Sequence, residues 1–329
     1  MLPSSTSEPS AASRQASPSS SQQTGLAGAR PQVIYVMGAG RSGSTTLGIT
    51  LGNCSGVFYA GELDNWLVRS GVPQVEEAER SAFWRRVLGE LVDADGAAQL
   101  FGNEAQRSIE RSLAIFRVRR WPARRRLSRR YRAVAGDLFG ALTRAAGVSW
   151  IVDTSHYPLR AHELQSVEGI DLYLVFLVRD PQGVVASFNR HDVHEFTKST
   201  MHTNVYLWLT HLLSSLVFLR HPRERRLFVR YEDFVADPAA VVSQILECAG
   251  RVDAALPDFS ALEIGFPLQG NRVTRTRALS LKGTTDPLPR RSRVTAVMQG
   301  PLMAVLARLR PTTGASRGSA RSSAQRGSR

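Results

Sequence analysis

Cysteine is nearly absent. Cys54 and Cys248 are the only two in 329 residues, and no C-x-x-C or Cys/His ligand spacing surrounds them. That argues against a disulfide framework and a structural zinc site, and for a reducing, cytoplasmic compartment. Lysine is almost as scarce. Of 42 basic residues only Lys198 and Lys282 are lysines, so arginine carries the formal charge of +14. Long apolar runs are missing as well. The best, Val205 to Leu219, is interrupted by His211, Thr210, Ser214 and Ser215. It falls short of the roughly 18 apolar residues of a membrane span and reads as a buried helix. Residues 1–28 have neither a basic start nor an apolar stretch, which argues against a secretory signal.

What is present is a chain 43% hydrophobic and 21% charged, the balance of a globular protein. Residues 1–30 are dominated by Ser, Ala, Pro and Gln and are expected to form a disordered leader. Residues 311–329 repeat that composition with added arginine and are expected to form a disordered basic tail. The folded domain is placed at 31–310. Within it, apolar runs at 32–37, 57–60, 149–153, 171–178 and 227–231 read as buried strands. Helical patterns at 44–53, 159–166, 182–189 and 203–220 have the length of crossover connections. The alternation predicts an α/β fold with a central, mostly parallel β-sheet flanked by helices. Residues 63–147 carry no strand pattern and are expected to be a helical insertion on the acceptor side. Nine of the sixteen residues from Arg117 to Arg132 are arginine, which reads as a solvated helical face or a docking surface for an anionic partner.

The most informative segment is the loop after the first strand, Gly38-Ala39-Gly40-Arg41-Ser42-Gly43-Ser44-Thr45-Thr46. Glycines feeding a helix start gather unpaired backbone N–H groups and the positive end of a helix dipole around one point, which is an anion site. Three chemistries compete for it. A literal G-x-G-x-x-G fits a Rossmann-type NAD(P)-dependent oxidoreductase. A Walker A pattern also overlays the loop, but Ser44 stands where the phosphate-clamping lysine belongs. The third is a loop gripping a sulfonated phosphate through amides, hydroxyls and one cation. A non-catalytic, Arg-rich polyanion binder is the alternative outside enzymes; no feature specifies a nucleic acid.

Arg41-Ser42-Gly43-Ser44-Thr45-Thr46-Leu47 resembles the first loop of sulfotransferases that use 3′-phosphoadenosine 5′-phosphosulfate (PAPS). Arg179-Asp180-Pro181, with Val184 and Ser187 following, resembles that family's R-D-P-x-x-V-x-S segment. The resemblance implies a three-layer P-loop-like fold, PAPS as co-substrate with no metal required, and a hydroxyl-bearing acceptor. It further implies that Gly40, Arg41, Ser42, Gly43, Ser44, Thr45 and Thr46 hold the 5′-phosphosulfate, and that Arg179 and Ser187 hold the 3′-phosphate. Tyr231, in a Tyr-Glu-Asp-Phe segment, and Asn271 with Arg272, in a Gly-Asn loop, resemble further nucleotide contacts of the family.

Sulfuryl transfer needs a base for the acceptor proton and stabilisation of the departing phosphate oxygen. Glu62 lies just beyond the second expected strand, and by resemblance takes the base role, with Asp64 in reserve. Asp153-Thr154-Ser155-His156 stands where many relatives read D-[ST]-S-K. His156 is therefore expected, with Arg41, to stabilise the leaving group, through an imidazole whose charge depends on pH as a lysine's does not.

Overall fold

The computed structural model describes residues 30–68, 70–73, 77–100, 109–116, 121–189, 199–269, 278–281 and 292–309. Asn271, Arg272 and the two expected tails (but for Arg30) lie outside them. Along the chain run β1 (Gln32–Gly38), α1 (Ser44–Gly52), β2 (Val57–Gly61), α2 (Asp64–Val68), α3 (Ala78–Gly89), α4 (Ala94–Ala98) and α5 (Trp121–Ala146). There follow β3 (Trp150–His156), α6 (Pro158–Leu164), β4 (Asp171–Val178), α7 (Pro181–Phe188), α8 (Thr200–Arg220) and β5 (Arg226–Arg230). The last are α9 (Tyr231–Ala236), α10 (Pro238–Cys248), a two-residue antiparallel pair β6 (Leu262–Glu263) and β7 (Ala278–Leu279), and α11 (Arg293–Leu306).

β1 to β5 form one sheet in the order β2-β3-β1-β4-β5, every pairing parallel. Period-two side-chain alternation explains why β1 is apolar throughout. Val33, Tyr35 and Met37 pack on one side with Tyr131, Phe139 and Leu142 of α5 and Val217 and Phe218 of α8. Ile34 and Val36 face the other side, against Leu47 and Ile49 of α1 and Val242 and Ile245 of α10. The sheet is thus the middle of three layers, the α/β architecture that the alternation predicts. Strand order reverses at β1, whose neighbours β3 and β4 leave in opposite directions along the sheet. That reversal opens a crevice at the carboxyl ends of the three strands, the usual ligand position in open parallel sheets.

Three expectations need adjustment. β3 was expected to end at Asp153 but continues through Thr154, Ser155 and His156, because these polar residues find partners inside the fold. Tyr59 Oη lies 3.1 Å from Thr154 Oγ1, and Asp153 accepts from the Ser155 backbone at 2.9 Å. β5 stops at Arg230, so Tyr231 opens a helix and does not close a strand. α8 is buried along one face only, with Leu207, Leu213, Val217 and Phe218 inside and Val205, Trp208, Leu216 and Leu219 exposed.

The described residues between 63 and 147 are helical or irregular and contain no strand. Part of the arginine block is absorbed by ion pairing: Arg132 and Arg124 of α5 lie 2.8 and 3.5 Å from the buried Glu163 of α6. Deeper in, Arg160 is almost wholly buried between Asp153 and Glu110, each 2.9 Å away, and also meets Tyr131. Removing one member of such a cluster strands the others in a low-dielectric interior. Arg160→Met should therefore lower the unfolding free energy by about 3–5 kcal/mol in chemical denaturation, because two buried carboxylates lose their cation.

Candidate active site

Three strand ends meet at the crevice. β1 delivers Gly38 to Gly43 and then α1, whose entry residue Gly43 has φ 94°. No side chain caps α1, and its first turn contains no acidic residue, so its N–H groups and dipole remain directed at the loop. The left-handed turn at Gly43 has a second cause: a Cβ there would fall 2.3 Å from the Tyr231 ring. Arg41 also sits at positive φ, 66°, an unfavourable conformation for a residue with a Cβ that turns the chain back toward the helix. Ser42, 1% exposed, keeps its hydroxyl buried without a hydrogen-bond partner. An orphaned donor beside an uncapped helix start fits an anionic group.

β4 delivers Arg179. Its Nη1 donates to the backbone carbonyl of Arg41 at 3.3 Å, and its guanidinium lies 4.5 Å from the centre of the Tyr231 ring. Gly183 makes room for this side chain, since a Cβ there would sit 3.1 Å from Arg179 Nε. The Asp180 carboxylate caps α7 by accepting from Gln182 N–H, with Pro181 in the first turn, as the Asp-Pro pair predicts. Ser187 lies in the last turn of α7, half-buried beside Phe188. The two loops that the sequence sets 138 residues apart are thus one structure, with Tyr231 packed against both. Among the loop hydroxyls, Ser44 and Thr45 are buried and Thr46 is half-buried.

β3 delivers His156, the third non-glycine residue at positive φ among those described, at 56°. Its Nε2 lies 3.8 Å from where a Cβ on Gly40 would be, which places the ring beside the start of the anion loop. Burial is the main cause that lowers its pKa from 6.5 to about 4, opposed by a hydrogen bond to the Thr154 backbone and by the Asp153 charge. The imidazole is neutral at pH 7. The pH dependence expected of it therefore falls below the neutral range in the free protein.

Glu62 follows β2 directly, and its backbone N–H donates to the Gln269 carbonyl at 2.9 Å. Its carboxylate is 3.5 Å from the Asn65 side-chain amide. The turn it occupies is tied to the His156 strand, because Ser155 Oγ accepts from the Asp64 backbone N–H at 3.0 Å. Asp64 itself is 2% exposed and its pKa is raised well above the carboxylate range, first by burial and then by the charge of Glu110. Glu62, half-buried where Asp64 is enclosed, is the better placed of the two carboxylates to meet an acceptor.

The sequence reading missed Tyr206. It lies in the second turn of α8, and its hydroxyl accepts from the Gly40 backbone N–H at 2.9 Å. Nothing local marks it, since it is one aromatic in an apolar helical run. A separate groove of about 380 Å³, lined by Arg125, His162, Leu213 and Arg220 among others, runs along the helical layer. Its α8 residues begin two turns beyond Tyr206, away from the strand ends.

With this geometry in view, comparison with known proteins gives the class. Residues 31–253 match the family model described as the sulfotransferase family, and the chain belongs to that family. It is similar to the solved sulfotransferase domain from the curacin biosynthetic pathway, with 18% identity over 84% of this chain and 99% of that one, TM-score 0.46. The sulfotransferase domain of the Synechococcus PCC 7002 olefin synthase gives 18% identity over 84% and 95%, TM-score 0.47. Sulfotransferase STF9 from Mycobacterium avium gives 14% identity over 87% and 79%, TM-score 0.45. Comparison with curated protein sequences gives no significant match. No helix among the described residues is long and apolar enough to cross a membrane, and none of their His, Cys, Asp and Glu residues form a group able to hold a metal.

The depressed His156 pKa has a thermodynamic consequence. Between pH 6.5 and about 4 the unfolded chain binds a proton at this position that the folded chain does not. The stability His156 contributes is therefore complete above pH 6.5 and is lost as the pH falls toward 4. His211 and His221, both lowered chiefly by burial, act in the same direction. Denaturation curves across this window should show His156→Gln losing less stability on acidification than the wild type does.

Proposed function

We propose that the protein transfers a sulfuryl group from PAPS to a hydroxyl acceptor in the cytoplasm, by in-line displacement at the crevice between β1, β3 and β4. The observation that carries this reading is the contact of Arg179 with the Arg41 carbonyl, which brings the two strand-exit loops together. A dinucleotide-binding turn has no need of the second loop. A bis-phosphorylated adenosine has two anionic ends and uses both.

In this assignment the loop from Gly40 to Thr46 takes the 5′-phosphosulfate through the amides and hydroxyls that follow Gly40, whose own N–H is given to Tyr206, and Ser42 Oγ gains the acceptor it lacks. Arg179 and Ser187 take the 3′-phosphate, with Tyr231 as the ring that holds the Arg179 guanidinium in place. Asn271 and Arg272 keep the nucleotide roles implied by resemblance. PAPS supplies the sulfuryl group. The bond from sulfur to the bridging phosphate oxygen breaks, and that oxygen keeps the electron pair. A bond from sulfur to the acceptor oxygen forms as Glu62 takes the acceptor proton. Arg41 and the α1 dipole stabilise the charge on the departing phosphate, so the chemistry requires no metal. His156 differs from a lysine here because its imidazole is neutral in the free protein. Anionic charge beside it favours a second ring proton and raises its pKa toward the working range.

The test is incubation with sulfur-labelled PAPS and a panel of hydroxyl compounds, followed by identification of the labelled product. Glu62→Gln should lower kcat by roughly 10²–10⁴ while leaving the affinity for adenosine 3′,5′-bisphosphate intact. Arg179→Ala should weaken that nucleotide by about 10- to 100-fold, the worth of a hydrogen bond to a charged group, and leave adenosine 5′-monophosphate unaffected. Equal losses for both nucleotides would remove Arg179 from the 3′-phosphate. Absence of any labelled product would remove the transfer reaction.

A further inference from the structure

We infer that Tyr206 is an additional catalytic residue, whose phenol donates a hydrogen bond to the transferring sulfuryl group. The inference rests on the sulfotransferase reading and deepens it. Amides at the start of α1 sit at the phosphate end of the loop, whereas Gly40 lies upstream of Arg41, on the side shared with His156. A Cβ at Gly40 would stand 3.3 Å from Tyr206 Oη, 3.7 Å from Phe188 Cζ and 3.8 Å from His156 Nε2. The phenol and the imidazole therefore flank the same glycine, where the group beyond the 5′-phosphate must pass.

The hydroxyl accepts from Gly40 N–H at 2.9 Å, and the Thr210 hydroxyl, one turn on in α8, is placed to donate to it as well; both bonds use lone pairs of the oxygen, and the phenol keeps its own proton to give. Burial raises the Tyr206 pKa, so the proton stays in place across the physiological range. The phenol donates without transferring it, and no step requires phenolate. His156, neutral in the free protein, gains a second proton only as charge gathers beside it, whereas Tyr206 is a donor at every working pH. This is the function a lysine would otherwise serve alone at the position held by His156.

The scaffold fixes the phenol in place. Its ring meets Phe188 edge-on, with centroids 5.9 Å apart, so the last residue of α7 braces the second turn of α8. From the other side α11 pins the same part of α8. Asn204 donates to Thr295 Oγ1 at 3.0 Å, and Gln299 donates to the Asn204 carbonyl at 2.8 Å. Asn204, Thr295 and Gln299 are all buried, so this polar triad, two residues from the phenol, stiffens the turn that carries it. It is the kind of support that holds a donor to the tolerance catalysis needs.

The test compares the wild type with Tyr206→Phe, which keeps the ring packing and removes the hydroxyl. The expected result is a fall in kcat on the order of 10²-fold, as for loss of one transition-state donor, with unchanged affinity for adenosine 3′,5′-bisphosphate. A second arm places 3,5-difluorotyrosine at 206, which retains shape and hydroxyl but ionises at lower pH. Its kcat should fall on the alkaline side where the wild type is flat, with nucleotide affinity again unchanged. The titratable groups facing Tyr206 are His156 and Tyr157, and both are identical in the two proteins. An unchanged kcat in Tyr206→Phe overturns the inference, as does a parallel loss of kcat and nucleotide affinity, which would mark the phenol as a support of the loop. A flat profile for the fluorinated protein overturns it too. If the wild type itself moves no label, the transfer reading fails and this role falls with it.

Discussion

The carboxylate of Asp153 is the fixed point around which the candidate catalytic edge is arranged. One oxygen accepts from the Ser155 backbone at 2.9 Å and also from the Ser155 hydroxyl. The other accepts from Arg160 at 2.9 and 3.2 Å. Ser155, held in this way, presents its oxygen to the Asp64 N–H and so draws the turn bearing Glu62 against the strand bearing His156. The left-handed backbone at His156 is unfavourable by itself and persists because the residues before it are bound on all sides. Arg160 in turn continues to Glu110 and Tyr131, so the edge is anchored in the helical layer. Apart from Glu110 Oε2, which has no hydrogen-bond partner, the cluster is paired throughout, and directional bonds of this kind in a dry interior restrict movement in a way that apolar packing does not.

Electrostatics at the loop follows from how its helix begins. A helix start without a side-chain cap or an acidic first turn, next to a buried serine hydroxyl without a hydrogen-bond partner, has the character that suits an anion. The Tyr231 ring fills the space above Gly43 and offers its face to the Arg179 guanidinium, so one ring packs against both loops.

How far the site was legible in the sequence depends on how local each part is. The glycine turn from β1 into α1 could be read because Gly38 to Thr46 lie within one short segment, and the Asp-Pro helix entrance could be read for the same reason. The sheet could be read because strands buried on both faces are continuously apolar. The extension of β3 could not, since Thr154-Ser155-His156 is polar and resembles a loop until its partners Tyr59, Asp153 and Gly40 are known. Tyr206 was invisible because its significance lies in a contact with Gly40, 166 residues away. The exposed half of α8 was misread because interrupted apolarity gives composition but not which face meets the sheet. The neutral state of His156 is likewise a property of the cavity that encloses it, with no trace in the flanking residues.

The chain beyond the matched segment is built into the same site. The family match ends at residue 253, yet Gln269 accepts from the Glu62 N–H, and Phe266 accepts from Trp84 of α3 at 3.0 Å. Gly61 must be glycine on two counts there: its φ is 83°, and a Cβ would lie 2.3 Å from the Gln269 carbonyl. Further on, Ser292 and Gln182 exchange two hydrogen bonds of 2.9 and 3.0 Å, joining the start of α11 to α7. Thr295 and Gln299 then hold α8. The late elements contact the segment bearing Glu62, the helix bearing Ser187 and the helix bearing Tyr206. They are also part of the core: Leu262 and Ile264 join the hydrophobic cluster on one side of the sheet, and Leu268 and Leu306 join the cluster on the other. The same elements thus serve both the packing of the sheet and the placement of three separately delivered groups.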